Sequence, residues 1–187
     1  LTSRPSASLP DIRRDIALED LRALSEAEAE QAVEEGLEGN QEYSDLRGLT
    51  IDDLQLVLRE EERWLNEIRE TAAPADVEER LLNLRGTAFD PAKELWGLDL
   101  GVASAVVALS SLGACPVSSC NGGAFGLGHQ AGYAYVSFFL YEASLPQVLR
   151  FAQRAQCGLI SVEGLGHVYG PVELLMTFAR QVMSANS

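Results

Sequence analysis

Residues 100–112, Leu-Gly-Val-Ala-Ser-Ala-Val-Val-Ala-Leu-Ser-Ser-Leu, run into Gly113 and then into Cys115-Pro116-Val117-Ser118-Ser119-Cys120-Asn121-Gly122-Gly123. The first run is apolar nearly all round and rich in small residues, which predicts a central helix packed closely on more than one side. Gly113 ends it, and residues 114–119 then read as a short strand. A buried helix handing over to a strand marks the start of a mixed domain.

Downstream the pattern alternates. Residues 133–141, Tyr-Ala-Tyr-Val-Ser-Phe-Phe-Leu-Tyr, form an aromatic and β-branched strand. Ser144 followed by Gln147 is a capping box that opens a helix to Ala155, with Gly158 closing it. Residues 159–162 and 166–169 pair as a hairpin, and Gly170-Pro171 opens a last helix with Val172, Leu175, Phe178, Ala179 and Val182 on its inner face. The order α-β-β-α-β-β-α predicts an α+β fold: a small antiparallel sheet with helices packed on one face.

Upstream the chain reads as helices. Residues 1–10 look disordered, residues 11–95 form an acidic helical region, and residues 96–187 form the near-neutral α+β domain. Residues 11–24 carry apolar positions at helical spacing, and Ser25 with Glu28 starts a second helix. Thr50 caps the clearest helix, with Asp52 and Asp53 in its first turn and an apolar stripe of Ile51, Leu54, Val57, Leu58, Trp64, Leu65 and Ile68. Pro74 interrupts it, and a shorter helix with Val77, Leu81 and Leu84 follows.

The charge divides with the fold. Of 28 acidic and 14 basic side chains, residues 1–100 hold 25 and 11, so all of the net −14 lies in the first half. Glu60, Glu62, Glu67, Glu70, Glu78 and Glu79 are expected on an outward face. Such a surface repels nucleic acid and anionic membrane and suits a basic protein partner. Residues 101–187 carry only six charges, so the helices or a second copy of the chain should cover part of that domain. The longest uncharged apolar run is too short to cross a bilayer, and the opening residues lack the apolar core of a signal peptide, so the expected compartment is the cytoplasm.

All three cysteines and both histidines fall between residues 115 and 167. Their spacing contains no Cys-x2-Cys pair, so neither a metal nor another cofactor is expected. Cys115 and Cys157 read as small core residues. Cys120 ends a strand and leads into Asn-Gly-Gly, where a thiol activated by His129 or His167 could act as a nucleophile. Cys120, His129 and His167 are therefore the catalytic candidates, and Ser118, Ser119, Asn121, Gly122 and Gly123 the ligand-binding candidates. The glycine-rich run to Gly128 precedes a strand rather than a helix, which argues against a phosphate loop.

The segments Trp96-Gly97-Leu98-Asp99-Leu100-Gly101-Val102-Ala103 and Ser118-Ser119-Cys120-Asn121-Gly122-Gly123, with His129 beyond them, resemble a group of uncharacterised bacterial proteins, a resemblance that implies no activity. The second segment is also similar to the Ser-Ser-Cys-Ser-Gly-Arg strand of the wybutosine-synthesis methyltransferase family. Ser118, Ser119, Cys120 and Gly122 match it, whereas Asn121 and Gly123 depart from it. That resemblance implies a strand-to-loop geometry and, without the family's arginine, neither tRNA nor S-adenosylmethionine binding.

Two functions remain in view. The preferred one is an acidic protein-binding or regulatory protein of the immunity or antitoxin kind, because the charge is one-sided and no catalytic set is complete. The alternative is a small enzyme or ligand- or metal-binding protein with its site at Cys120, Asn121 and His129.

Overall fold

A computed structural model describes residues 11–14, 27, 44–87, 90–127, 131–139 and 144–186. The expected lead at 1–10, the helices expected over 11–39 except for residues 11–14 and 27, and His129 lie outside the described residues.

Helix α1, Ile51–Glu70, begins where the Thr50 side chain accepts a hydrogen bond from the Asp53 N–H (3.3 Å) and Asp53 Oδ2 accepts one from the Thr50 N–H (2.8 Å). This reciprocal cap satisfies two backbone donors at the helix start. Its buried stripe is Leu54, Val57, Leu58, Glu61, Trp64 and Leu65, so one carboxylate sits among the apolar positions. Helix α2, Pro74–Leu84, buries Val77, Glu78 and Leu81. A tight turn follows in which Leu95, Trp96 and Gly97 are all left-handed, with φ of 51°, 56° and 74°.

The central helix α3 spans Ala103–Ser111, and every residue from Ala103 to Ser110 is buried. It starts later than the apolar run predicts. Gly101 has φ of 93°, and the N–H groups of Gly101, Ala103 and Ser104 donate to the Glu61 carboxylate from α1. The chain therefore turns at Gly101 to meet that anion and only then becomes helical.

Strands β1 (Cys115–Cys120) and β2 (Ala134–Phe139), helix α4 (Leu145–Ala155), strands β3 (Gly158–Val162) and β4 (Leu165–Gly170) and helix α5 (Val172–Ala185) complete the chain. The four strands form one antiparallel sheet in the order β1-β2-β4-β3. The α+β fold and the order α-β-β-α-β-β-α from α3 onward are as the pattern of apolar residues predicts. Val136, Phe138, Leu159 and Val168 join the core formed with the helices, while the alternate positions Tyr135, Ser137 and His167 lie on the opposite face. The same core takes in Leu54, Val57, Trp64, Val77 and Leu81, and α1 packs on α3 and α5. The acidic helices thus cover part of the charge-poor half. Among the described residues no helix is long and apolar enough to cross a membrane.

Two local departures have clear causes. Helix α4 ends at Ala155 as expected, but its C-terminal cap is Gln156, left-handed at φ 61°, rather than Gly158, and Ser144 makes no side-chain cap. Gly158 instead opens β3, where a Cβ would lie 2.2 Å from the Tyr169 ring. Residues 11–14 are not helical. The Arg13 carbonyl accepts a hydrogen bond from the Leu159 N–H (2.7 Å), and the Tyr169 hydroxyl accepts from the Arg13 N–H and donates to the Asp11 carbonyl. Those backbone groups are spent on Leu159 of β3 and on the Tyr169 hydroxyl of β4 rather than on a helix.

Candidate functional site

Strand β1 lies at one edge of the sheet, with a bulge between Pro116 and Ser118. A bulge turns the strand locally and re-aims its side chains. Beside it opens a cleft of about 390 Å³ lined by Leu46, Arg85, Asp99, Val106, Ser118 and Ser119 among others. Each wall has a separate origin. Arg85 is the C-terminal cap of α2, Asp99 follows the left-handed turn, Val106 comes from α3, and the serines come from β1.

The cleft carries both charges. Arg85 donates from Nη2 to the Leu98 carbonyl at 2.8 Å and stands 3.7 Å from Asp99 Oδ1. Its guanidinium is thereby held at the wall while 29% of the side chain stays exposed. A fixed cation, a carboxylate and the Ser119 hydroxyl give the site donors and acceptors within one small volume; Ser119 stands opposite core-facing Val136, whereas Ser118, opposite Ser137, turns to the other face of the sheet.

The Asn-Gly-Gly segment has a different task. Asn121 is buried, and its Nδ2 donates to Glu78 Oε1 (2.6 Å) and to the Leu100 carbonyl (3.1 Å), while its Oδ1 accepts from the Gly123 N–H (2.9 Å). Both amide hydrogens are used inside the protein. Asn121 therefore ties α2, the turn before α3 and the glycine loop together. Gly122 and Gly123 are left-handed at φ 67° and 72°, as that turn requires.

The thiols and imidazoles do not converge among the described residues. Cys120 is half-buried, and its sulfur accepts a hydrogen bond from the Gly122 N–H (3.3 Å). It pairs with Tyr135, whereas His167 on β4 pairs with Ser137. Strand β2 stands between them, and two strand spacings amount to about 10 Å. The His167 ring stacks on Tyr135 at 5.7 Å, and Ser137 Oγ lies 3.3 Å from each ring nitrogen. Burial lowers the His167 pKa, with Glu163 acting weakly the other way. Cys115 is buried, and burial pushes the Cys157 thiol up to about 12, with its sulfur donating to the Leu174 carbonyl. Among the described residues no group of three or more His, Cys, Asp or Glu side chains could hold a metal ion.

Two buried carboxylates are absent from the sequence-derived candidates. Glu61 is fully buried; burial raises its pKa, opposed by the hydrogen bonds from Ser104, Gly101 and Ala103. Glu78, expected on the outward face, is instead buried against Asn121. The acidic face is further reduced by ion pairs: Glu60 with Arg63, Glu62 with Arg180 and Glu67 with Arg80.

A scan against protein-family models and searches of curated proteins and of solved structures gave no match to this chain.

Proposed function

We propose that the protein binds a small polar ligand in the cleft between Arg85, Asp99 and the β1 edge. The observation that carries this reading is the mixed-charge, hydroxyl-bearing lining of a concave volume to which both halves of the chain contribute. Its size falls in the range of small-molecule sites. Ser119 supplies orientation, and the Arg85–Asp99 pair supplies a cation and a carboxylate.

A thermal-shift screen of polar metabolites tests this. At one hundred times its Kd a ligand adds about 2.7 kcal/mol, a rise of roughly 5–10 °C for a chain of this size. The rise should disappear in Ser119→Leu, whose larger side chain fills the cleft. A screen without a saturable shift, or a shift unchanged by Ser119→Leu, counts against the site.

A second reading, an acidic partner-binding protein of the immunity or antitoxin kind, is favoured by the confinement of all net charge to residues 1–100. Glu70 and Glu79 remain exposed on its face. Reversing both to Lys is expected to slow association with a basic partner, most strongly at low salt, where the Debye length is about 30 Å at 0.01 M. An unchanged set of bound proteins in a pull-down from cell extract would assign the charge to solubility alone.

A further inference from the structure

Among the described residues the helices pack on one face of the sheet, where Val136, Phe138, Leu159 and Val168 join the core. The register brings Cys120, Tyr135, Ser137, Ile160, His167 and Tyr169 together on the other face. Its rings adjoin one another: Tyr133 lies 5.5 Å from Tyr169 and 6.5 Å from Tyr135, which stacks on His167 at 5.7 Å. None of the four strands carries an Asp, Glu, Lys or Arg. A sheet face turned to water is built of polar residues, so an aromatic, uncharged face marks a contact surface. Phe139, 2% exposed, is already shielded on this side without taking part in the core beneath the helices.

The chain itself runs up to this face and away from it. The Arg13 N–H donates to the Tyr169 hydroxyl (2.9 Å), the Leu159 N–H to the Arg13 carbonyl (2.7 Å) and Arg14 Nη1 to the Cys157 carbonyl (2.9 Å), so residue 14 stands at the β3 border. Ser44 and Leu46 line the cleft beside β1, and the Ser110 hydroxyl holds the Leu46 carbonyl and the Leu49 N–H, so residue 44 stands at the β1 border. β1 and β3 are the outer strands, and three strand spacings amount to about 14 Å. An extended chain crosses that distance in about five residues, which leaves most of 15–43 for contact with the face. A route around the helices would instead pass Glu60, Glu62, Glu67, Glu70 and Glu79, and 15–43 is itself acidic, with Arg22 as its one basic residue.

We propose that the face of the sheet turned away from the helices is an internal docking surface and that its occupant is the chain's own stretch 15–43. Ile16, Leu21 and Leu24 supply apolar side chains for the rings. The carboxylates of the stretch give the charge-poor half the solvated exterior that its own sequence lacks. The ring ladder is then part of the fold, and the inference stands independently of any ligand in the cleft.

Nuclear Overhauser effects in the full chain, labelled in the Leu and Ile methyl groups and in the aromatic rings, test this directly. Contacts from the Ile16, Leu21 and Leu24 methyl groups to the Tyr135 and His167 rings are expected within one chain. A mixture of methyl-labelled and ring-labelled chains should show none between molecules. Cys120 on the same face gives a second readout: its labelling by a maleimide under native conditions should speed up by about tenfold or more in Leu21→Asp/Leu24→Asp, with Cys115 and Cys157 still closed to the reagent. Absence of these contacts, or an unchanged Cys120 rate, overturns the proposal. Contacts found only between differently labelled chains overturn it in favour of a second copy on the face.

Discussion

Replacing Glu61 with alanine is expected to cost about 4 kcal/mol of stability and to lower Tm by roughly 10 °C. The carboxylate lies at the start of the central helix, where Oε1 accepts from the Gly101 N–H (2.7 Å) and the Ala103 N–H (3.0 Å) and Oε2 from the Ser104 N–H (2.9 Å). Truncation leaves three donors without their acceptor at a site closed to water, and a cavity beside them. Glu61→Gln keeps the volume but turns an N–H2 towards one of those donors, for a loss of about 2 kcal/mol. The pH dependence separates charge from shape. Because the folded-state pKa is raised above the ordinary 4.5, folding takes up protons in that window, and the Glu61 contribution is full below 4.5 and declines as pH climbs through the raised value. The stability of wild type relative to Glu61→Gln should therefore fall with rising pH and then level. Urea denaturation at several pH values checks this, and a Gln variant as stable as wild type at every pH would remove the proposed anchoring role.

Much of this architecture is written in local patterns. The hairpin of β3 and β4 turns through Glu163 and Gly164, both left-handed, as a two-residue connection between right-twisted strands demands. The central helix is legible because no face of it is polar enough for water. Glu61 was legible in principle: it falls one turn after Val57 and Leu58 and one turn before Trp64 and Leu65, the place of an apolar residue in the stripe. A lone carboxylate there reads as the edge of a solvated face until its partners are known, and those partners lie about 40 residues away. Glu78 is hidden in the same way by Asn121. The cleft is less legible still, since Arg85 meets Ser119 only after α2, the left-handed turn and α3 have packed. Cys120 and His167 share a strand-bearing region of sequence, but antiparallel order places β2 between them.

Gly122→Ala is expected to cost about 3 kcal/mol, and its cause can be isolated by a control in the same protein. The residue has φ of 67°, and a Cβ built there would stand 2.4 Å from the Tyr133 carbonyl carbon and 2.7 Å from the Tyr133 Cα and O. Left-handed backbone costs a non-glycine residue about 1 kcal/mol, and forcing a methyl group into packed surroundings adds about 1–3 kcal/mol. The opposing atoms are main chain at the entrance to β2, so no side-chain rotation relieves the contact. Displacement would also pull on Asn121 and its bonds to Glu78 and Leu100, which set the turn before α3. Gly86 has φ of 76° with nothing within 4 Å of its Cβ position. Gly86→Ala therefore carries the conformational cost alone, about 1 kcal/mol. Urea denaturation of both variants measures the difference, which should be about 2 kcal/mol in favour of Gly86→Ala; equal stabilities would show that the loop does not press against Tyr133.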